Sequence, residues 1–373
     1  MNLKVSHNIL IEICHKMQGQ EKRILFTGGG SAGHVTPNIA LIKKLRNEGW
    51  DIFYIGSTKG VEKEIISKLN IPYFSIPVGK LRRYFSWHNF IDPIKIVFGL
   101  IQAFFLYWKI RPRVVFSKGG FVAFPVVVSS WLHRIPIVIH ESDLTPGLAN
   151  RLSFRFANTI CVSFEETKKY IKNQDKIIIT GTPVREELLC GNINKGLDLC
   201  GFSSDKKIIL VYAGGLGSKS INGIIRAMLP KILINFQVVH ICGKNNLDNG
   251  LALPGYKQFE YLDSEFANVL ACANIVICRA GANSIYELLA LKKPHILIPL
   301  PKLVSRGDQI VNAEYFLKRG FSQVVFEEDL SPIKLYEKVI WISQHETETI
   351  NHLSGFTTQK SNELICDILL QCI

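Results

Sequence analysis

The sequence predicts an α/β protein made of two doubly wound halves, and three observations predict it. A short apolar run enters glycine-rich sequence at ILFTGGGSAGH (24–34), and a second does so at IILVYAGGLGS (208–218). Each is followed by apolar residues at helical spacing, in PNIALIKKL and NGIIRAML. Further apolar runs separated by helical patterns follow both openings, as in a parallel sheet covered on both faces.

Taken in order, residues 1–22 carry an apolar patch broken by Glu12 and His15, without a small-residue cleavage site. They read as a short helical extension rather than a secretory signal. After the first opening, DIFYIG, VVFS, IPIVIH and TICVS read as strands; after the second, FQVVHICG, IVICR and HILIPL do. The turn in ITGTPVREELL (179–189) marks the boundary, giving an expected division into 23–182 and 183–352, with a C-terminal helix over 353–373 packing back on the first domain. The apolar segment 94–110 is bracketed by Lys95 and Lys109 and contains Gln102, too short for the roughly 20 apolar residues of a membrane span. It reads as a core helix over 94–108. The loop before it, with Leu81, Arg82, Arg83, Phe85 and Trp87, mixes cations and aromatics and is expected to meet an anionic membrane surface.

Composition narrows the partners. The chain has 373 residues, 47% of them hydrophobic, and a net charge of +13, which suits a nucleic acid, an anionic membrane or a phosphorylated substrate. No nucleic-acid module is recognisable, and the cations cluster with aromatics near one apolar helix, so nucleic acid is not expected. Nine cysteines without a C-x-x-C pair read as reduced thiols rather than a disulfide framework or zinc site.

A glycine turn that feeds a helix presents free N–H groups to an anion, and phosphate is the natural guest. GGGSAG (28–33) has the glycine spacing of G-x-G-x-x-G, but the strand that follows, DIFYIG, does not end on the acid of the full dinucleotide fingerprint, and neither turn fits G-x-x-x-x-G-K-[ST]. His34 is the odd member of the first turn, because an anion cradle needs no imidazole. In CRAGANSIYELL (278–289), Ser284 and Glu287 fall in the first turns of a helix. A carboxylate there can accept from a ribose diol or simply complement the helix dipole. Ligands of parallel sheets sit beyond the carboxyl ends of the strands, so two such domains facing each other form a cleft between their turns. His140 reads as a core histidine. No D-x-D motif occurs, so a catalytic metal is not expected, and no cofactor is expected either.

GGGSAGHVTPN, SKGGFVAFP, HESDLTPGLAN, GTPVR, AGGLGSKSIN, CRAGANSIYE and SRGDQIVNA, in that order, resemble the MurG family of peptidoglycan synthesis. The resemblance implies the GT-B fold of two Rossmann-like domains facing a central cleft. It implies transfer of N-acetylglucosamine from UDP-GlcNAc, with inversion, to the muramyl 4-hydroxyl of lipid I, an undecaprenyl pyrophosphate glycolipid, giving lipid II and UDP. It also implies a peripheral position on the cytoplasmic face of the bacterial inner membrane, beside other cell-wall synthesis proteins.

Carried over by motif, Leu262 matches the residue whose backbone reads uracil, and Ala282, Asn283, Ser284 and Glu287 match the segment around ribose and pyrophosphate. Arg185 matches the arginine on the donor phosphates. Gln309, helped by Asp308, matches the glutamine that holds the GlcNAc hydroxyls. Ser31, Ala32, Gly33 and His34 form the acceptor loop. An imidazole ordinarily titrates near about pH 6.5, so His34 is the expected general base, with Glu141 a second candidate for the base or for orienting the ring. Two positions depart from the family pattern. Gly215 stands where a serine usually meets the donor phosphates, leaving Ser218 or a backbone N–H to substitute, and Asp143 stands where an amide is commoner. The alternatives are another GT-B lipid glycosyltransferase, which would differ in donor and acceptor, and a UDP-sugar epimerase, which should lack the aromatic basic loop.

Overall fold

The computed structural model describes residues 22–79, 88–356 and 360–373, with backbone alone for 88–91. The expectations for the N-terminal extension up to residue 21 and for Leu81, Arg82, Arg83, Phe85 and Trp87 lie outside the described residues. The chain divides into two compact units. One runs through His140 and adds Leu152–Ile160 and Cys366–Ile373; the other comprises Glu141–Arg151 and Cys161–Ile365.

The strands are β1 (Arg23–Thr27), β2 (Asp51–Ser57), β3 (Tyr73–Ile76), β4 (Val114–Ser117), β5 (Ile137–Glu141), β6 (Thr159–Val162) and β7 (Ile177–Ile179), in the order β3-β2-β1-β4-β5-β6-β7. The second sheet contains β8 (Lys207–Tyr212), β9 (Phe236–Ile241), β10 (Tyr256–Phe259), β11 (Ile275–Cys278), β12 (His295–Leu297) and β13 (Gln323–Val324), in the order β10-β9-β8-β11-β12-β13. The central pairs β1 with β4 and β8 with β11 are parallel. In both sheets the order reverses beside the opening strand, and the crevice above such a reversal is where open α/β sheets take ligands. The two glycine turns predicted from sequence sit at these two switch points.

Alternation within a strand shows why continuous apolar runs were needed. Ile208 and Leu210 of β8 join one core with Val276 and Cys278 of β11, while Ile209 and Val211 join the opposite core with Ile275 and Ile277. In the first unit, Leu25, Ile55 and Val115 pack with Ala103 and Tyr107 of the helix His88–Ile110 and Val126 of the helix Ala123–Leu132.

The helix His88–Ile110 corrects the core-helix expectation. Ala103, Tyr107 and Ile110 are buried, but Ile94, Val97, Phe98, Ile101, Phe105 and Trp108 are 45–61% exposed. Their spacing places them along one stripe of the helix, so only the opposite face serves the core. The segment Asp92–Ile110, 19 residues with mean hydropathy 1.4, is also long and apolar enough to cross a membrane by length and composition, contrary to the count between lysines. Its inner face is nevertheless committed to the domain: the Tyr107 hydroxyl donates to the Val126 carbonyl at 3.2 Å, and Gln102 Nε2 donates to the Ser75 carbonyl at 3.1 Å.

Candidate active site

In the first unit the β1 turn is held by main-chain contacts and by two side chains that reach it, Glu62 and Tyr54. Gly29 N–H donates to the Gly119 carbonyl at 3.2 Å, bringing the turn after β1 onto the turn after β4. Gly120, at φ +85°, faces the Gly29 carbonyl so closely that any Cβ would collide with it. Glu62 is fully buried and accepts from Gly30 N at 3.2 Å, Ser57 N at 3.0 Å and Ser57 Oγ at 2.5 Å. The Tyr54 hydroxyl donates to the Gly28 carbonyl at 2.7 Å and lies 3.2 Å from Asn38 Nδ2. Burial pushes the Tyr54 phenol far above its ordinary range, which keeps that donor protonated.

Ser31, Ala32 and Gly33 are exposed on this scaffold. His34 closes the single 3-10 turn Ala32–His34 ahead of the helix Thr36–Asn47, with its N–H on the Ser31 carbonyl at 3.1 Å. The ring Nδ1 is 3.1 Å from the Lys118 carbonyl. A carbonyl only accepts, so Nδ1 carries the proton and, in the neutral ring, Nε2 is the basic nitrogen. The Lys118 side chain is buried and its Nζ lies 2.8 Å from Nδ1 of His140, itself fully buried. An ammonium only donates, so His140 Nδ1 accepts there, in agreement with a core role.

In the second unit Ser218 caps the helix Lys219–Ile232 by accepting from Ile221 N, and Arg279 Nη2 donates to the same Oγ at 2.8 Å. Arg279 also pairs with Glu327, which accepts from Ser220 Oγ at 2.6 Å. Burial alone would raise the Glu327 carboxyl, but the bonds from Arg279 and Ser220 outweigh it and hold it below its usual range. Gly215 is exposed, and a Cβ added there meets nothing within 4 Å.

The turn after β11 leads into the helix Ala282–Ala290. Glu287 is buried there and receives a two-pronged contact from Arg185, Nε to Oε1 at 2.7 Å and Nη2 to Oε2 at 3.0 Å. The Arg185 guanidinium also lies over the Phe266 ring at 5.5 Å. The structure therefore brings together two residues that sequence assigned separately to phosphate and to ribose. Ala282 is buried, Ser284 lies beside the Tyr212 phenol, and Asn283 Oδ1 accepts from Ser142 Oγ at 3.2 Å. Leu262 is half-buried against the core.

Glu141 accepts from Asp143 N at 3.0 Å, Gly147 N at 3.0 Å and Asn150 Nδ2 at 2.9 Å, so its carboxylate staples its own turn. Asp143 accepts from Asn312 Nδ2 at 3.0 Å and Arg306 Nη2 at 3.1 Å. Asp308 opens the helix Asp308–Lys318, and Gln309 Oε1 accepts from Leu300 N at 3.1 Å. Among the described residues no group of three His, Cys, Asp or Glu side chains is placed to hold a metal ion.

Glu62, Tyr54, Lys118, Arg279, Glu327, Arg306 and Asn312 went unselected by sequence reasoning. Arg279 carried a signal, a cation among small residues directly after a strand. Glu62 and Tyr54 carried none, since their partners lie in other segments of the chain.

Two doubly wound parallel sheets, each with glycine turns at its switch point, define the GT-B class of fold, which nucleotide-sugar transferases and epimerases share. Residues 24–162 match the glycosyltransferase family 28 N-terminal domain and residues 208–365 the C-terminal domain. The UDP-N-acetylglucosamine–N-acetylmuramyl-(pentapeptide) pyrophosphoryl-undecaprenol N-acetylglucosamine transferase of Legionella pneumophila strain Paris is 55% identical over 347 residues, covering 93% of this chain and 96% of that one. The same-named protein of Clostridium botulinum is 50% identical over 352 residues, covering 94% and 98%. The crystal structure of Acinetobacter baumannii MurG superposes with a TM-score of 0.72 at 22% identity, covering 94% of this chain and 99% of that one. The UDP-GlcNAc 2-epimerase of Neisseria meningitidis, at 16% identity and a TM-score of 0.63 over 94% of this chain and all of that one (100%), shares the fold alone. The chain belongs to the UDP-N-acetylglucosamine–N-acetylmuramyl-(pentapeptide) pyrophosphoryl-undecaprenol N-acetylglucosamine transferases of glycosyltransferase family 28.

Proposed function

We propose that this chain transfers N-acetylglucosamine from UDP-GlcNAc to the 4-hydroxyl of the muramyl sugar of lipid I, forming lipid II and UDP. The observation that carries the chemistry is the fixed tautomer of His34, whose basic Nε2 is the nitrogen that takes the acceptor's proton. As the hydroxyl oxygen bonds to the anomeric carbon, the bond to the donor phosphate breaks and its electron pair leaves with UDP. The first unit supplies the base, and the second holds the donor. Glu287 receives the ribose hydroxyls, Arg185 and the glycine turn at Gly215 to Ser218 face the diphosphate, Leu262 lies at the base, and Gln309 with Asp308 serves the sugar. Developing charge on the departing phosphate is met by N–H groups and a guanidinium already in place, which need little reorganisation. Glu141 shapes its turn rather than taking a proton, because three donors occupy it.

The exposed stripe of the helix His88–Ile110 suits a peripheral position on the cytoplasmic face of the membrane. Phe98, Phe105 and Trp108 offer an apolar edge flanked by Lys95, Lys109, Arg111 and Arg113, the pairing of apolar insertion and cationic attraction that holds a protein at anionic lipid. Trp131 and Leu132 add exposed apolar area on the neighbouring helix.

Incubation of purified protein with labelled UDP-GlcNAc and a lipid I analogue tests the reading. Labelled disaccharide lipid is expected, with far less from UDP-glucose. No transfer to the analogue, or equal transfer from both donors, would overturn it.

A further inference from the structure

Outside the residues assigned to chemistry, one cluster joins two loops of the second unit through charge. Asp143 sits on the turn that Glu141 staples, and its two carboxylate oxygens reach different partners: Oδ1 takes Asn312 Nδ2 at 3.0 Å and Oδ2 takes Arg306 Nη2 at 3.1 Å. Asn312 returns the contact, accepting from Leu144 N at 3.1 Å. Arg306 ends a segment of otherwise few anchors. Its neighbours Leu303 and Val304 are 97% and 72% exposed, and the bonds within the segment are local: Val304 N and Ser305 N to the Pro301 carbonyl at 3.2 and 3.1 Å, Ser305 Oγ to the carbonyls of Pro301 and Leu300 at 3.0 and 3.3 Å, and Gly307 N to Ser305 Oγ at 3.1 Å. After Gly307 come Asp308, 3.6 Å from Arg306 Nη2, and Gln309.

We propose that Asp143 and Arg306 form a latch that clips the 301–307 segment to the Glu141 turn and thereby positions Gln309 for the donor sugar. The inference rests on the donor site proposed above. It makes both positioning residues, acting through Asp308 and Gln309 rather than on the donor itself.

The charged groups facing Asp143 are Glu141 on its own turn, Arg306 on the segment, and Asp308 on the helix beyond. Burial, then repulsion from Glu141 and Asp308, raises the Asp143 carboxyl to about 6 despite the opposing contacts of Asn312 and Arg306. Its side chain is 16% exposed. Arg306 is among the contacts that lower this carboxyl, so with Asp143 still buried on its stapled turn the loss of Arg306 would raise it further; the ion pair is therefore favoured as the pH climbs through about 6 and is lost below it, freeing the segment.

The test is calorimetric binding of UDP-GlcNAc at about pH 5.5 and about pH 8 to the full-length wild type, Asp143→Asn, Arg306→Gln and the double variant. Wild type is expected to bind on the order of 5-fold more tightly at the higher pH. Asp143→Asn should lose that difference and stay near the wild-type low-pH affinity, and the double variant should match the singles, because a latch is broken only once. Arg306→Lys should keep part of the difference, which a packing role alone would not restore. An undiminished pH difference in Asp143→Asn, or single effects that add, would overturn the latch. Failure of the transfer assay with wild type at about pH 8 would instead count against the proposed reaction.

Discussion

Nδ1 of His34 donates to the carbonyl oxygen of Lys118 across 3.1 Å, and this bond decides which nitrogen of the ring is the base. The carbonyl belongs to the turn after β4, so the ring on one glycine turn is oriented by the main chain of the other. Replacing His34 by Ala should lower kcat on the order of 10²-fold while leaving UDP-GlcNAc affinity nearly unchanged. Wild-type turnover, or an equal loss in donor binding, would remove the base from His34.

The Arg185–Glu287 fork makes a second prediction. Glu287 is buried, and removing the guanidinium leaves its charge without either prong. Arg185→Lys keeps the charge but cannot reproduce the two parallel bonds, so donor affinity and Tm should both fall. Arg185→Ala should fall further, with Tm lower by several degrees. Thermal melts with and without UDP-GlcNAc check both, and an unchanged melt in either variant would deny the fork a structural part.

Neighbouring glycines should behave in opposite ways. Gly215 has open space around it, so Gly215→Ser should melt like wild type and bind UDP-GlcNAc at least as well, by adding a hydroxyl on the turn proposed to face the diphosphate. Gly217, at φ +70°, has the Cys242 carbonyl where a Cβ would stand, so Gly217→Ala should lose stability by more than about 1 kcal/mol. Equal melts for the two variants would contradict this account.

Buried histidines set the acid limit. His295 donates from Nδ1 to the Lys293 carbonyl at 2.7 Å and accepts at Nε2 from Ser322 at 2.6 Å, and burial lowers it to about 4 despite the first bond. Burial, then Arg226, lowers His240 to about 3. Depressed values mean that their stability is present above the unfolded imidazole range, near about 6.5, and is lost as pH falls toward the folded values. Tm should drop between about pH 6.5 and about pH 4, and His295→Gln should flatten part of that slope in a melt series. Asp143 works in the opposite direction: its raised carboxyl favours the folded state most below its unfolded value and loses that as pH climbs through about 6.

Phe98→Ser combined with Phe105→Ser should leave transfer to a detergent-dispersed acceptor intact but reduce co-sedimentation with anionic vesicles several-fold, since each of these exposed aromatics offers apolar area to the lipid interface. Unchanged co-sedimentation would take the anchoring role from this face.

The strands ending in the glycine turns were legible because they are buried on both faces and read as unbroken apolar runs. β3, β10 and β13 were not, being short strands near or at sheet edges, such as YKQF and QV, whose polar residues mask the pattern. The helix at 94–108 misled because its composition is apolar all round, and only its packing shows which side is covered. In the site, the glycines and His34 announced themselves by residue type. Glu62 did not: VEKEIIS reads as a solvated helix, yet its glutamate is sealed under the β1 turn by partners that the fold brings in. Arg185 and Glu287 were chosen from separate motifs, and nothing in either motif announces that they bind each other.

The contact of Gly29 with Gly119 and Gly120 is made by main chain alone, and the room for a side chain at Gly120 is already taken. An inhibitor that gripped these peptide groups would hold main-chain atoms that exchanging one side chain for another leaves in place, and bulkier replacements at Gly120 would wreck the turn before evading the drug. Escape from such a compound would have to arise elsewhere in the chain.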